Sequence, residues 1–286
     1  MSSALPVIRP ASLAETPLKP INAPLVADWL VRFIREEMVR RRGIERAVIG
    51  LSGGVDSAVS TYLAARALGP QNVFVFRMPY KISSQASLDH AQWVVDDLGV
   101  PAETVDITPM VDGYVAGQSD MDGTRLGNVC ARCRMIVLFD QSARLRALPI
   151  GTGNKSERLL GYYTWHADDS PPINPLGDLF KTHVWELARE LGVPEAIVGK
   201  PATADLVQGQ TDEGDFGITY ERADRILHHL TRGLTPEMLV RHGFDSAEVA
   251  IVWKRLSGTH WKRRPPTVAM LSTSAIGEYY LRPVDY

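Results

Sequence analysis

The sequence has few of the residues and segments that mark secreted or membrane proteins. Its only cysteines are Cys130 and Cys133, and such sparse cysteine is typical of a reducing compartment where disulfides do not form. No apolar run approaches the ~20 residues that span a bilayer. Residues 1–6 lack the basic region and apolar core of a secretory signal. These absences predict a cytoplasmic protein with no membrane partner.

An excess of charge of either sign is also missing. The chain carries 31 Lys and Arg against 33 Asp and Glu, a formal net charge of −2. Such a balance gives no general basis for binding nucleic acid or anionic lipid, so we expect neither as a partner. With 286 residues, 45% of them hydrophobic and 22% charged, the composition is that of an ordinary globular protein with one large α/β domain.

Short apolar segments alternate with helical periodicity through the first half of the chain. The patterns predict strands over 47–51, 72–76, 103–107 and 148–151, and helices over 25–42, 56–68, 84–98 and 124–146. This alternation predicts a parallel, doubly wound, Rossmann-like α/β sheet. Later strands are absent, and helices over 180–191 and 220–230 predict a helical C-terminal part. The loop over 200–219, which contains glycines, and the tip near 80–87 are candidate lids over a site.

The two ends of the chain differ from this pattern. Residues 1–24 contain five prolines and no periodicity, which predicts an extended arm that is mobile or packs on a neighbour. We therefore divide the chain into an arm (1–24), a main domain (25–265) and a C-terminal tail (266–286).

The most informative segment is Gly50-Leu-Ser-Gly-Gly-Val-Asp-Ser57. It follows an apolar strand and opens a helix, where small residues and exposed N–H groups form an anion site. A plain turn would not require Asp56 and Ser57. The Gly-Lys-Ser/Thr ending of a Walker loop is absent, so the segment predicts a phosphate site without a P-loop lysine.

Ser-Gly-Gly-Val-Asp-Ser resembles the pyrophosphate loop of the ATP pyrophosphatase superfamily, which has the adenine nucleotide alpha hydrolase type of fold. Its members split ATP between the α and β phosphates and adenylate an oxygen atom. Further segments, in the same order, resemble blocks of ammonia-dependent NAD synthetases. These are Asn128-Val-Cys-Ala-Arg-Cys-Arg-Met135, Gly151-Thr-Gly-Asn-Lys-Ser-Glu157, Ile173-Asn-Pro-Leu-Gly-Asp-Leu-Phe-Lys-Thr182, Lys200-Pro-Ala-Thr-Ala-Asp-Leu206 and Gly209-Gln-Thr-Asp-Glu213.

The resemblance implies roles for individual residues. It implies that Asp56 and Glu157 hold Mg²⁺, as hard oxygen ligands do, and that Asp56 and Lys181 serve catalysis. It assigns ATP to Gly50, Ser52, Gly53, Gly54, Asp56, Ser57, Arg77, Thr152, Lys181 and Thr203. On the deamido-NAD side it places Asn128, Arg132, Trp165, Trp261 and Lys262.

The sequence departs from the family pattern on the dinucleotide side. Trp165 and Pro172 stand where many members carry Lys and Asp, and Trp261 replaces the His of a His-Lys-Arg tail motif. Trp165 either stacks on the dinucleotide or belongs to the core. Asp168 keeps an acidic position and can accept a proton from the attacking ammonium.

The resemblance implies ATP-dependent amidation of deamido-NAD by ammonia through an adenylate, with ATP and Mg²⁺, in a homodimer. A glutaminase needs a cysteine nucleophile and its own domain, which we do not expect here. A zinc site needs about four ligands, and the Cys130-x-x-Cys133 pair has no second pair to complete the set. Two alternatives stay open: another adenylating ligase, of the tRNA-thiolating or GMP synthetase kind, and a nucleotide-binding module without catalysis.

Overall fold

The computed structural model describes residues 13–14, 16–203 and 211–272. Within these ranges one sheet contains β1 (Ala47–Gly50), β2 (Val73–Arg77), β3 (Ala102–Thr104) and β4 (Leu148–Pro149). The strand order is β3-β2-β1-β4, and each neighbouring pair is parallel. The predicted parallel α/β class is confirmed.

Helices account for most of the remaining described chain. They are α1 (Ala23–Arg35), α2 (Val55–Leu68), α3 (Gln85–Leu98), α4 (Thr108–Val115), α5 (Gly123–Leu145), α6 (Lys155–Leu160), α7 (Lys181–Leu191), α8 (Glu195–Val198), α9 (Asp212–Phe216), α10 (Tyr220–Leu230), α11 (Pro236–Arg241) and α12 (Ser246–Gly258). The helix α1 continues into a π-helical turn, Glu36–Arg40, and short 3₁₀ turns cover Pro70–Asn72 and His260–Arg263. No helix in the described ranges has both the length and the apolar character needed to cross a bilayer.

The sheet is buried mainly at its two central strands. β1 and the first four residues of β2 are apolar, whereas β3 ends in the exposed residues Glu103 and Thr104. Ile49 and Val75 pack with α1, α2 and α7 in one core, while Val48 and Phe76 pack with residues of α4 and α5 in another. Successive strand residues point to opposite faces, and a sheet covered on both sides reads as a continuous apolar run. Helices on both faces are the doubly wound arrangement.

A third core joins the C-terminal helices. Leu160 of α6, Phe180, and residues of α10 and α12 such as Ile226 and Val252 form it. Leu13 and Leu18, from the segment predicted to be an arm, pack against this cluster. The described part of that segment therefore lies on the chain's own helical region; residues 1–12 lie outside the described ranges.

The strand order creates a crevice next to β1. The chain runs outward from β1 to β2 and β3, then returns to place β4 on the other side of β1. At such a switch point the loops after neighbouring strands diverge, and ligands bind beyond the carboxyl ends of the strands. The loops after β1 and β4 begin at Leu51 and Ile150, and both belong to segments singled out in the sequence.

Candidate active site

A cavity of about 780 Å³ lies at the carboxyl ends of β1 and β4. Most of the predicted site residues line it: Gly50, Ser52, Gly54, Asp56, Ser57, Asn128, Thr152, Glu157, Asp168, Lys181, Thr203 and Lys262. Residues from segments more than 200 positions apart therefore meet in one place. Gly53, Arg77, Arg132, Trp165 and Trp261 are outside this lining.

The glycine-rich loop is braced by its own hydroxyl groups. Ser57 Oγ donates to the Gly54 carbonyl at 2.9 Å, and Gly54 N–H donates to Ser52 Oγ at 3.2 Å. Gly53 has φ +80°, and a Cβ there would lie 2.0 Å from the Ser87 carbonyl oxygen of α3. Gly54 stands at the N-cap of α2 and makes no side-chain cap. The first-turn N–H groups of α2 are therefore available to an anion.

Two carboxylates and one ammonium form the charged centre of the cavity. Lys181 is only 2% exposed, and its Nζ lies 2.5 Å from Asp56 Oδ2 and 3.6 Å from Glu157 Oε1. Asn154 donates from Nδ2 to Asp56 Oδ1 at 2.9 Å. Asn154 also forms a capping box with Glu157 at the start of α6. Both carboxylates are thus held toward a single cation.

This arrangement shifts the pKa values of its members. Burial, helped by the nearby Asp56 carboxylate, raises the pKa of Glu157 to about 8. Burial opposes the charge of Lys181, but Asp56 and Glu157 together hold its pKa above the usual value. The site therefore favours a positive charge between the two carboxylates.

The residues present fit a magnesium ion that is shared with a nucleotide. Mg²⁺ is commonly bound by one or two carboxylates together with substrate phosphates. Asp56 and Glu157 already face a common cation, the Lys181 ammonium. In the described part of the chain, no group of three or more acidic, His or Cys side chains is placed to hold a metal by itself. Phosphate oxygens would have to complete the ligand set.

Several residues near this centre had no predicted role. Asp212 is 5% exposed; its Oδ2 accepts from the Tyr220 hydroxyl at 2.9 Å, while the buried Oδ1 has no hydrogen-bond partner. Lys200 donates to Ser87 Oγ at 2.9 Å and so joins the candidate lid to α3. Both residues lie in quoted family blocks, which was the available signal, but their burial and contacts depend on distant segments.

The region predicted to face the dinucleotide, which we call the dinucleotide end, is built from a loop and the C-terminal turn. Trp165 is half-buried and packs edge-on against Trp261, with ring centroids 5.1 Å apart. It also lies 3.9 Å from the ring of His166, a residue with φ +60°. Arg132 Nη2 donates to the Trp165 carbonyl at 3.2 Å. Trp165 is therefore outside the buried core, in an aromatic group beside the cavity.

Two charged residues link this end to the cavity. The Asp168 carboxylate accepts from the Thr164 N–H at 2.7 Å, and the surrounding protein raises its pKa by desolvation. Lys262 Nζ donates to the Gly161 carbonyl at 2.7 Å and lies 4.3 Å from the Tyr163 ring centroid. Lys262 thus ties the C-terminal turn to the loop that carries Asp168.

Arg77 lies elsewhere. Its guanidinium donates to Gln92 of α3, and its buried Nε has no hydrogen-bond partner. The structure therefore does not bring Arg77 together with the other residues that were assigned to ATP.

An open parallel sheet with a glycine-rich anion loop at its switch point, and a lysine between two carboxylates beside it, defines an α/β nucleotide-binding protein. The family model of NAD synthase matches residues 26–266. The chain therefore belongs to the NAD synthase family.

Individual relatives agree with this family. The chain is 42% identical to the NH(3)-dependent NAD(+) synthetase of Fusobacterium nucleatum, over 88% of this chain and 97% of the relative. It is 45% identical to that of Trichlorobacter lovleyi, over 90% and 94%.

Two solved structures have the same fold. The NH3-dependent NAD synthetase of Campylobacter jejuni has a TM-score of 0.76 and 32% identity over 87% of this chain and 100% of that one. The NMN synthetase of Francisella tularensis has a TM-score of 0.78 and 28% identity over 87% and 99%.

Proposed function

We propose that this protein is an NH3-dependent NAD synthetase, a ligase that uses ATP to amidate deamido-NAD and yields NAD, AMP and pyrophosphate. The observation that carries the proposal is that the anion loop, through its Asp56, meets Lys181 at the switch point, and that Glu157 lies beside the same ammonium. The family membership and the high coverage of the NH3-dependent relatives support the choice of reaction.

In the first step a nicotinate carboxylate oxygen of deamido-NAD attacks the α phosphorus of ATP. The bond from that phosphorus to the α–β bridging oxygen breaks, and pyrophosphate leaves with the electron pair. The N–H groups of the Gly50–Ser57 loop and the Lys181 ammonium are placed to stabilise charge on the leaving group. Asp56 and Glu157 are the residues to hold Mg²⁺, which when bound neutralises phosphate charge.

In the second step ammonia attacks the carbonyl carbon of the mixed anhydride and AMP leaves. The nitrogen must shed a proton, and Asp168 is the proposed acceptor. Its carboxylate lines the cavity, and desolvation raises its pKa, which makes it a better base than an ordinary aspartate. Water has to be excluded at this stage because it would hydrolyse the anhydride.

The nitrogen source follows from thiol chemistry. The chain's only cysteines, Cys130 and Cys133, are both buried, and burial raises the pKa of each thiol. A glutaminase nucleophile needs an accessible thiolate, which neither offers. Free ammonia is therefore the proposed donor.

We also propose a homodimer in the cytoplasm, where ATP and dinucleotides are found. Large apolar side chains are exposed on the adjacent helices α4 and α5: Tyr114 is 55% exposed, Ile136 52% and Phe139 39%. Apolar exposure of this kind is typical of a protein interface. Light scattering tests the homodimer by comparing the molecular mass of Ile136→Glu with that of the wild type. A monomeric wild type would refute the dimer.

A second candidate is amidation of the mononucleotide. The Francisella structure, an NMN synthetase, resembles this chain over 99% of its own length and 87% of this chain. The sequence departs from the NAD synthetase pattern at Trp165 and Pro172, which lie on the dinucleotide side. Both candidates use the same ATP chemistry and differ only in the substrate that carries the carboxylate.

One assay separates these possibilities. Pyrophosphate release is measured with ATP and Mg²⁺, with deamido-NAD or the carboxylate mononucleotide, and with ammonium or glutamine. We expect the highest kcat/KM with deamido-NAD and ammonium. A preference for the mononucleotide would assign the second function, comparable turnover with glutamine would refute ammonia as the donor, and no release with either substrate would refute both functions.

A further inference from the structure

The helix that begins with Lys181 lacks an ordinary cap. Phe180 stands at the N-cap of α7 and has no side-chain oxygen to accept from the first-turn N–H groups. Such groups need partners when they are buried. The structure supplies these partners from Ser156 of α6 and Asp224 of α10, both 0% exposed.

Asp224 uses both of its carboxylate oxygens for this purpose. Oδ2 accepts from the Thr182 N–H at 3.1 Å and from Thr182 Oγ1 at 2.9 Å. Oδ1 accepts from the Ser156 hydroxyl at 2.5 Å, and Ser156 Oγ in turn accepts from the Lys181 N–H at 2.8 Å. One buried side chain thus joins the first turns of α6 and α7.

The residues that Asp224 holds are sequence neighbours of the charged centre. Ser156 precedes Glu157, and Thr182 follows Lys181. Glu157 and Lys181 come from separate helices, yet their charged atoms meet at 3.6 Å. That meeting depends on how the starts of α6 and α7 are placed relative to one another, and Asp224 bonds to both of them.

We propose that Asp224 is a positioning residue, which fixes the Lys181 ammonium and the Glu157 carboxylate for transfer of the adenylyl group. The proposal rests on the proposed function, because it assigns the rate effect to Lys181 and Glu157. Asp224 is not in the lining of the cavity, so it acts through these two residues. A carboxylate is also favourable at the N-terminus of α7 because it faces the positive end of the helix dipole.

The alternative is that Asp224 only caps a helix. Asp245 is a matched control for that role, because its Oδ1 accepts from the N–H groups of Ala247 and Glu248, both at 3.0 Å, at the start of α12. Asp245 is exposed and takes no part in the cavity. Loss of either cap lowers stability, but only Asp224 is tied to the charged centre.

The experiment compares Asp224→Ala, Asp224→Asn and Asp245→Ala by steady-state kinetics and melting temperature. Displacement of catalytic groups by about 1 Å can cost about 10²-fold in rate. We expect Asp224→Ala to lower kcat by about that factor with little change in either KM, and Asp224→Asn to recover part of the loss. Asp245→Ala should lower the melting temperature and leave kcat unchanged.

The proposal is overturned if Asp224→Ala keeps the wild-type kcat, or if Asp245→Ala loses as much. Should Asp224→Ala fail to fold, Ser156→Ala and Thr182→Val each remove part of the same network and should lower kcat in the same way. Combined with Lys181→Met, Asp224→Asn should cause a smaller loss of rate than it does alone, because interacting residues are non-additive. A fully additive loss would contradict the proposal.

A crystal structure of Asp224→Asn separates this proposal from the proposed function. Displacement of Lys181 Nζ from Asp56 supports positioning even if the wild type fails to amidate deamido-NAD. Unmoved side chains would count against positioning even in an active enzyme.

Discussion

The cavity has two ends that are built in different ways: the phosphate end, around Asp56 and Lys181, and the dinucleotide end, beside Trp165 and Trp261. At the phosphate end, Asn154 and Lys181 are almost fully buried, and each is bonded to Asp56. At the dinucleotide end, Trp165 is half-buried and Trp261 is 50% exposed, and they contact mainly each other and a loop. Buried charges without partners are costly, so such a network tolerates little change, whereas exposed loops vary freely.

The difference matches where the sequence follows the family pattern and where it departs from it. The segments that carry Asp56, Glu157 and Lys181 resemble the family blocks, and the departures at Trp165 and Pro172 lie on the dinucleotide side. We infer that packing fixes the end of the cavity around Asp56 and Lys181, whereas the end around Trp165 can vary.

The largest effect is expected from Asp56→Asn at the phosphate end. The variant removes a proposed magnesium ligand and one of the two carboxylates at Lys181. Pyrophosphate release should fall by about 10²-fold or more, as measured in a coupled assay. Glu195→Gln, which breaks an exposed 3.0 Å ion pair with Arg189, is the control and should keep full activity. Near-wild-type release by Asp56→Asn would show that the assigned site is wrong.

Gly53→Ala tests the rigidity of the anion loop. An alanine would have to adopt φ +80° with its Cβ 2.0 Å from the Ser87 carbonyl oxygen. Backbone strain of this kind costs about 1–3 kcal/mol, so the free energy of unfolding in urea should fall by at least that amount. The matched variant is Gly54→Ala, where φ is −89° and the nearest atom is Ser52 Oγ at 3.4 Å. Equal stability of the two variants would contradict the described loop geometry.

Trp165→Ala tests the dinucleotide end. If the indole stacks on the substrate, its loss should weaken deamido-NAD binding by about 1–3 kcal/mol, roughly 5- to 150-fold. ATP affinity should hardly change because Trp165 contacts Arg132, His166 and Trp261, none of which is assigned to ATP. Calorimetric titration of each ligand measures this, with Trp253→Ala on α12, 45% exposed, as the control. A large fall in melting temperature with both affinities reduced would instead assign Trp165 a structural role.

The last effect is a pH dependence of magnesium binding at the phosphate end, expressed per pH unit. Burial and Asp56 raise the pKa of Glu157 to about 8 in the metal-free protein, and a carboxylate must lose its proton to bind a metal. Apparent Mg²⁺ affinity in the presence of ATP should therefore rise by about tenfold per pH unit below pH 8 and level off above it. Glu157→Gln should remove this slope, and a pH-independent affinity in the wild type would contradict the assignment.

The same shift predicts the sign of a stability change. Between about pH 4.5 and pH 8 the folded protein holds a proton on Glu157 that the unfolded chain has released. The contribution of this group to stability is therefore complete below pH 4.5 and is lost as the pH rises through 8. Urea unfolding without magnesium, compared with Glu157→Gln, measures this contribution.

Elements with local signatures were predictable from the sequence. The helices α2, α3, α5, α7 and α10 were predicted to within about one residue of their observed ends, because apolar periodicity and glycine stops mark them. The helix α12 was missed although Asp245 followed by Glu248 is an N-terminal capping signal. The helix α4, eight residues long with one fully buried residue, Val111, offers a much weaker pattern.

The site was predictable only in part, and for a physical reason. The loop of Gly50–Ser57 has a local signature, and the resemblance supplied Glu157 and Lys181. Asn154 and Asp212 lie in quoted family blocks, but their partners Asp56 and Lys181 come from other segments, so the local pattern does not show these contacts. Arg77 illustrates the converse: the resemblance assigned it to ATP, but its side chain bonds to Gln92 of α3.

The parallel α/β class, the anion loop and the family could all be predicted from the sequence, because each depends on residue order within short segments. Strand periodicity, glycine spacing and ordered motifs survive in one dimension. Two further contacts depend on the fold. Asp224 accepts from the first turn of α7, where the N-cap residue Phe180 has no acceptor, and Lys181 lies between Asp56 and Glu157. Those relations join residues up to 125 positions apart, and a buried charge is stable only where the fold brings its partners to it.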